Sequence, residues 1–469
     1  MEYGFHNKLR YSKQTALRYL LAIFFFCIIL SFYSFGEDKE LSILVIGDSN
    51  TEYGYITRAL ADTLSNLFYT GAGGTGYIPL NSSFYAVRYK RYQDISITYS
   101  STSWICMDMF EGTRMATIPY LSPNGHWLKS IMSGAVATVQ CPGNGIDIYW
   151  LSHSTGGTFS ISIDEKIYDT ISTIGSQSVQ KTSIHGLSTD KHTVHFEVIS
   201  VPAQGNVTLL GFDAHYGTAD QYKRSVVHNW GNGYCTTADF LNIDSTIFVS
   251  GLQQCKPDVV VILLGTNDHF QDRRSAPEFK TNLKALINRI KTSEVTANIL
   301  LTSTFMTNET TGATYLPKYQ ATAWPEAASE TEVEYWDMCA WFGPYDATYM
   351  NGSVHCNARG GKKIASEMLK KILQRFPTIT SRSTYGAPFS SPSYSIHYTP
   401  DMLIVKQKNY LPYQINLFST AGKRFASLHG SGSHTFRLDR KNGINKPGIY
   451  IAKLHIDGRT EYYHFPVVQ

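Results

Sequence analysis

Two nearly unbroken apolar runs, Leu41–Ile46 and Val259–Leu264, stand far apart in the chain. Each ends in a glycine-led polar turn: Gly47-Asp48-Ser49-Asn50 after the first and Gly265-Thr266-Asn267-Asp268 after the second. A strand with no polar face has to be covered on both sides, and parallel sheets flanked by helices are where that happens. The surrounding pattern agrees. Helical spacing is expected over Tyr55–Phe68, Thr237–Gln253, Phe279–Lys291 and Gly360–Phe376, and further strands over Ser225–His228 and Asn298–Thr304. Strands alternating with helices imply an α/β, doubly wound parallel sheet.

The stretch between the two runs has a different texture. From about Leu80 to His215 the chain is rich in Thr, Ser and Gly, and apolar residues alternate with polar ones. Ile146–Ser152, Thr158–Ile163, His192–Ile199 and Val207–Phe212 read as strands, with a turn at Asp164–Lys166. The expectation is a β-sandwich inserted into the chain path of the α/β domain, which domain ends lying close together would tolerate. The boundaries follow as 37–80 and 216–378 for the two parts of the α/β domain and 81–215 for the insert. A Ser/Thr/Pro-rich linker covers 379–395, and a small all-β module covers 396–469.

At the start, Lys8, Arg10, Lys13 and Arg18 precede an apolar run from Tyr19 to Phe35, and Ser34 and Gly36 supply a small-x-small site. Residues 1–36 therefore read as a secretory signal peptide, the alternative being an uncleaved anchor. The expected location is secreted, periplasmic or at a bacterial cell surface, with no membrane attachment after signal removal. Beyond Cys27 six cysteines remain, Cys106, Cys141, Cys235, Cys255, Cys339 and Cys356. An even count in an exported chain permits three disulfides, and proximity favours 106–141, 235–255 and 339–356. Free buried thiols are the alternative. No Cys/His spacing suggests zinc, and no metal or cofactor is expected.

Composition narrows the partner. The net charge of +4 over 469 residues is too weak and too evenly spread for nucleic acid. Aromatic residues reach 13%, a composition that suits sheets and sugar-facing surfaces.

The chemistry centres on Ser49. Placed after a core strand and before a helix, it projects from the carboxyl edge of the sheet, where α/β ligand sites form. Asn267 ends the second apolar strand at the same edge, and its amide can donate to an oxyanion. His355 lies in Val354-His355-Cys356-Asn357-Ala358-Arg359-Gly360, just before the last helix of the α/β domain, and could reach Ser49 as general base.

Taken as an ordered set, these motifs resemble the SGNH, or GDSL-type, hydrolase family. That resemblance implies a three-layer α/β/α sandwich, with Ser49 as nucleophile, His355 as base and Asn267 in the oxyanion hole. It also implies an oxyanion glycine in the loop after the second core strand. Gly233 is assigned, with Gly231 and Gly74 as second choices. The family usually carries Asp three residues before the base, but this chain has Gly352 there. Asn351 cannot act as a carboxylate, and Asp346 is too distant in sequence to assign.

An insert between the serine block and the next core strand resembles bacterial carbohydrate and peptidoglycan O-acetylesterases. The implied partner is an acetylated polysaccharide, hemicellulose, xylan or peptidoglycan. The tail, with Leu417–Lys423 and Gly448–Ala452, resembles a type IX secretion sorting domain, which would make the secretion machinery a partner. Two alternatives remain: a carbohydrate-binding surface protein with a weakened site, or a lipase or thioesterase using the same residues.

Overall fold

The computed structural model describes residues 41–68, 73–80, 95–109, 120–216, 225–305, 307–308 and 316–376, and seven strands between 394 and 467. The expected signal peptide and most of the expected linker lie outside the described residues. No helix among the described residues is long and apolar enough to cross a membrane.

A five-stranded parallel sheet carries the α/β part. In chain order its strands are β1 (Ser42–Gly47), β2 (Val226–Gly231), β3 (Val259–Leu263), β4 (Asn298–Thr302) and β5 (Glu334–Trp336), and in space they run β2-β1-β3-β4-β5. The short β5 at the edge is an addition to the sequence reading. Successive side chains point to opposite faces, so an all-apolar strand feeds two cores. Ile43, Val45, Val259 and Val261 pack under helices Tyr55–Phe68 and Ala358–Arg375. Leu44, Ile46, Val260 and Ile262 pack on the other side, with helices Ser245–Cys255 and Ala276–Lys291. The expected helix Thr237–Gln253 is two helices, Thr237–Leu241 and Ser245–Cys255. The Asp244 carboxylate caps the second by accepting the Ile247 N–H, and a residue serving as N-cap sits outside helical geometry.

The chain leaves β1 towards β2 on one side and comes back to β3 on the other. That reversal opens a crevice above the carboxyl ends of the three strands. Register sharpens the point, because Gly47 lies opposite Gly231 on β2 and Leu263 on β3.

Between β1 and β2 the chain forms two antiparallel sheets. One has the order 166–172, 158–163, 191–200, 136–142, 96–99, and the other 178–185, 145–152, 207–216, 126–130, 105–108. Gly73–Gly74 and Ile78–Pro79 pair with the 207–216 strand, so these sheets begin before residue 81. Asp164 and Glu165 have φ of 49° and 68° between paired Ile163 and Lys166, a two-residue turn whose twist matches the strands it joins. The two sheets share a core that includes Val139, Ile148, Phe159, Phe196 and Leu209. Tyr77, Trp127, Tyr149 and Leu151 pack instead in the same cluster as Leu44, Ile46 and Trp230 of the parallel sheet.

The six cysteines correct the disulfide expectation. Cys106, Cys141, Cys235, Cys255, Cys339 and Cys356 are all free. All but Cys106 are buried, and burial pushes Cys141, Cys255 and Cys356 up to about 12, which leaves them small apolar core groups.

Residues 383–469 form a separate unit, whose described strands all pair antiparallel. Strands 394–399, 402–407 and 434–437 make one sheet, and 424–431, 412–419, 448–456 and 459–467 make the other. Leu403, Val405, Tyr413, Ile415 and Leu417 are buried in it.

Candidate active site

Ser49 opens a one-turn helix, Ser49–Glu52, at the end of β1. Asp48 caps it by accepting the Asn50 N–H at 2.9 Å. Its carboxylate is almost wholly buried, and desolvation pushes it up to about 6. Asp48 is thus a structural cap beneath the serine.

His355 comes from a small hairpin in which Met350–Asn351 pairs with His355–Cys356. Its Nε2 lies 2.9 Å from Ser49 Oγ. Residues 306 positions apart are at hydrogen-bond distance, as a nucleophile and its base require. The ring sits 4.7 Å from that of Tyr53, tilted by 48°. Asn50 holds the hairpin from the serine side. Its amide donates to the Val354 carbonyl at 3.2 Å, and its Oδ1 accepts the Cys356 N–H at 3.1 Å.

The hairpin also shows what stands where the resemblance implies an aspartate. Gly352 occupies its tip with φ of +72°, the left-handed region that most side chains avoid. The Tyr345 hydroxyl donates to the Gly352 carbonyl at 3.0 Å, and the Asn308 N–H to the Ser353 carbonyl at 3.0 Å. Asp346 accepts the Thr348 N–H at 2.8 Å on the surface, and Asn351 is exposed.

Asn267 lies in the helix Thr266–Phe270 that follows β3. Its amide donates to the Cys235 carbonyl at 3.1 Å, which ties it to the loop after β2 and leaves a second amide hydrogen. The next residue reinforces that tie, since the buried Asp268 carboxylate accepts the Thr237 N–H at 3.1 Å and the Thr237 hydroxyl. Burial pushes Asp268 up to about 7 despite Arg274 at 3.7 Å.

The three glycines fall in two places. Gly231 ends β2 in register with Gly47, and Gly233 lies two residues on. A Cβ on Gly231 would come 2.2 Å from the Glu52 backbone nitrogen, and one on Gly233 would come 2.7 Å from Glu52 Oε2. The serine helix therefore packs directly on the glycine loop. Gly74 instead pairs with His215 in the antiparallel sheet.

Asn50 stands within the serine motif, yet its role as the hairpin's bracket is not legible there. Glu52, His126 and Asp108 lie buried behind the serine helix. No local pattern distinguishes them. Asp147, Asp213 and His215 place ligand atoms within 4.8 Å of one another on the antiparallel sheet. Lys181 already supplies a positive charge there, 3.2 Å from Asp147.

Residues 213–363 match the model of the GDSL-like Lipase/Acylhydrolase family. The match takes in Asn267 and His355, while Ser49 lies outside it. No curated protein sequence matches the chain. Among solved structures, a peptidoglycan O-acetylesterase superposes with a TM-score of 0.55 at 17% identity, covering 73% of this chain and 93% of that one. A family two carbohydrate esterase from Clostridium thermocellum in complex with cellohexaose is 14% identical, with a TM-score of 0.27 and coverage of 60% and 99%. A Corynascus thermopiles (Myceliophthora fergusii) carbohydrate esterase family 2 enzyme plus carbohydrate binding domain is 16% identical, with a TM-score of 0.28 and coverage of 60% and 100%.

The first of these shows a shared fold. The chain thus carries a GDSL-like acylhydrolase domain, and its class is carboxylic ester hydrolase.

Proposed function

We propose that the protein is an exported serine esterase that removes O-acetyl groups from a polysaccharide. The observation that carries this reading is the 2.9 Å contact between Ser49 Oγ and His355 Nε2. His355 takes the proton as Ser49 attacks the acetyl carbonyl. Negative charge on the former carbonyl oxygen is met by the Asn267 amide and the Ser49 N–H at the helix start. The Gly233 N–H expected there from the resemblance faces the Glu52 carboxylate, and the Gly231 N–H donates to Asn229 Oδ1 at 2.8 Å. His355 then protonates the leaving sugar hydroxyl, and water enters with His355 as base to release acetate and free Ser49. Orientation of the imidazole falls to the hairpin, Asn50 and Tyr53, because the position of the customary aspartate is Gly352.

The polysaccharide part of the reading rests on the antiparallel insert, taken as a carbohydrate-facing β-sandwich, and on the fold shared with a peptidoglycan O-acetylesterase. Xylan, other hemicelluloses and peptidoglycan are the candidate polymers. Export rests on the character of residues 1–36, and the C-terminal unit is read as a sorting module for the secretion machinery. A second reading, a sugar-binding protein with a weakened site, is favoured by Gly352 alone. A lipase or thioesterase would use the same residues on a longer or thioester-linked acyl group.

The deciding experiment is hydrolysis of p-nitrophenyl acetate by residues 37–469 beside Ser49→Ala and His355→Ala. Turnover lost in both variants supports the esterase. A wild type no faster than the variants sinks it and leaves the binding reading. Acetate release from acetylated xylan against acetylated peptidoglycan then selects the polymer, and an acyl chain-length series tests the lipase.

A further inference from the structure

We infer that the antiparallel insert is a working part of the oxyanion hole, in which Asp108 and His126, acting through Glu52, hold the serine helix, and with it the Ser49 N–H, in place against the Gly231–Gly233 loop. The inference deepens the esterase reading and rests on it.

Glu52 is the third residue after Ser49 and is 1% exposed. Its Oε1 lies 3.3 Å from His126 Nε2, and His126 Nδ1 lies 3.4 Å from Asp108 Oδ2. The His126 side chain is wholly buried, and Asp108 stands opposite it on the neighbouring strand. A carboxylate, an imidazole and a second carboxylate thus run in line from the insert to the serine helix. Burying three ionisable groups is costly, and apolar residues of similar volume would fill the space with less penalty. What the line gains is a fixed carboxylate at one place, directly beneath the glycine loop.

The loop rests on that carboxylate. Glu52 Oε2 occupies the space next to the Gly233 Cα, and the Gly233 N–H faces the carboxylate. Gly231 meets the Glu52 backbone. A second tie runs parallel to the first. The Asn232 amide donates to the Asn124 carbonyl of the insert at 3.0 Å, and the Asn232 N–H donates to the Gly47 carbonyl at 3.0 Å. Asn124 Oδ1 in turn accepts the Ser122 hydroxyl and the His126 N–H. The insert therefore grips the loop at Asn232 and supports it at Gly233. Oxyanion donors act through exact placement, and displacement of such a group is read in kcat. Glu52, His126 and Asp108 are positioning residues, since none of them is asked to touch substrate.

The test is p-nitrophenyl acetate kinetics of Glu52→Gln, His126→Gln and Asp108→Asn in residues 37–469, with active sites counted by a fluorophosphonate probe. A placement role predicts kcat per titrated site about ten- to a hundredfold lower, within what loss of one oxyanion donor costs, with KM within about twofold. The double variant Glu52→Gln/His126→Gln should be no worse than the poorer single one, because both break the same line. If Glu52→Gln does not fold, Asp108→Asn and His126→Gln decide the matter. Variants that keep wild-type kcat per titrated site, whatever their stability, overturn the inference and leave the line a structural feature. If wild type is no faster than Ser49→Ala, the esterase reading itself falls. That outcome is distinct from full wild-type activity with unaffected variants.

Discussion

Asn50 Oδ1 accepts the Cys356 N–H at 3.1 Å, so the residue after the serine holds the residue after the histidine. The same side chain donates to the Val354 carbonyl, and the two bonds bracket His355. Asn50→Ala should therefore strand two backbone groups, each about 1–3 kcal/mol when left buried and unpaired. The expected result is kcat on p-nitrophenyl acetate lowered at least tenfold, with a smaller change in KM. An unchanged kcat would show that the hairpin places His355 without this bracket.

Asn267 is the side-chain donor assigned to the oxyanion, and its amide is already oriented by the Cys235 carbonyl. Asn267→Ala should lower kcat by about a hundred- to a thousandfold, the usual cost of one lost oxyanion donor. KM for a small ester should barely move. A loss confined to KM would place Asn267 in substrate binding instead.

Gly352 stands where the family resemblance implies a carboxylate, yet its φ of +72° argues against simple restoration. Its Cβ direction is open, so the cost of Gly352→Asp is conformational and about 1 kcal/mol. Thermal melting should show a drop of a few degrees, and kcat should not rise. A gain in kcat would mean that an aspartate there can still reach the imidazole.

Asp48 makes a pH prediction. Its folded pKa of about 6 exceeds the ordinary 3.8, so between those values the folded state binds more protons than the unfolded one. Stability then falls as pH rises through that window. Asn caps helices as well as Asp and carries no charge. Asp48→Asn should match wild type in Tm below about pH 4 and gain on it progressively towards pH 7, with the gain flat thereafter. A Tm difference that is constant with pH would show that the Asp48 charge is not the cause.

The cysteines give a chemical check. Residues 37–469 contain six, all free and all but Cys106 buried. Denatured protein without reductant should yield six thiols to Ellman's reagent, with little reaction in the native state beyond Cys106. Dithiothreitol should leave Tm unchanged. Fewer than six thiols, together with a Tm that drops on reduction, would restore the disulfide expectation.

Local pattern carries information as far as local physics reaches. The apolar runs at β1 and β3 announce a covered parallel sheet because no other environment hides both faces of a strand. The glycine-led turns after them mark its carboxyl edge. Pattern of this kind placed the longer helices within a few residues, but it missed the break at Asp244, the short helices Trp324–Glu330 and Met338–Phe342, and the three-residue β5, where capping and edge pairing outweigh periodicity. Cysteine count and export context pointed to disulfides, because spacing along the chain says nothing about which core each thiol enters.

Sequence alone thus determined the fold class, the ordered blocks around Ser49, Asn267 and His355, and the interruption by antiparallel strands. Tertiary structure decided what those blocks become. It set Ser49 against His355, bracketed the hairpin with Asn50, put Gly352 in a left-handed turn, and ran Asp108 and His126 in from the insert to Glu52. These pairings lie tens to hundreds of residues apart. They exist because a buried charge or an unpaired backbone group needs a partner in space, a requirement that leaves no periodic trace along the chain.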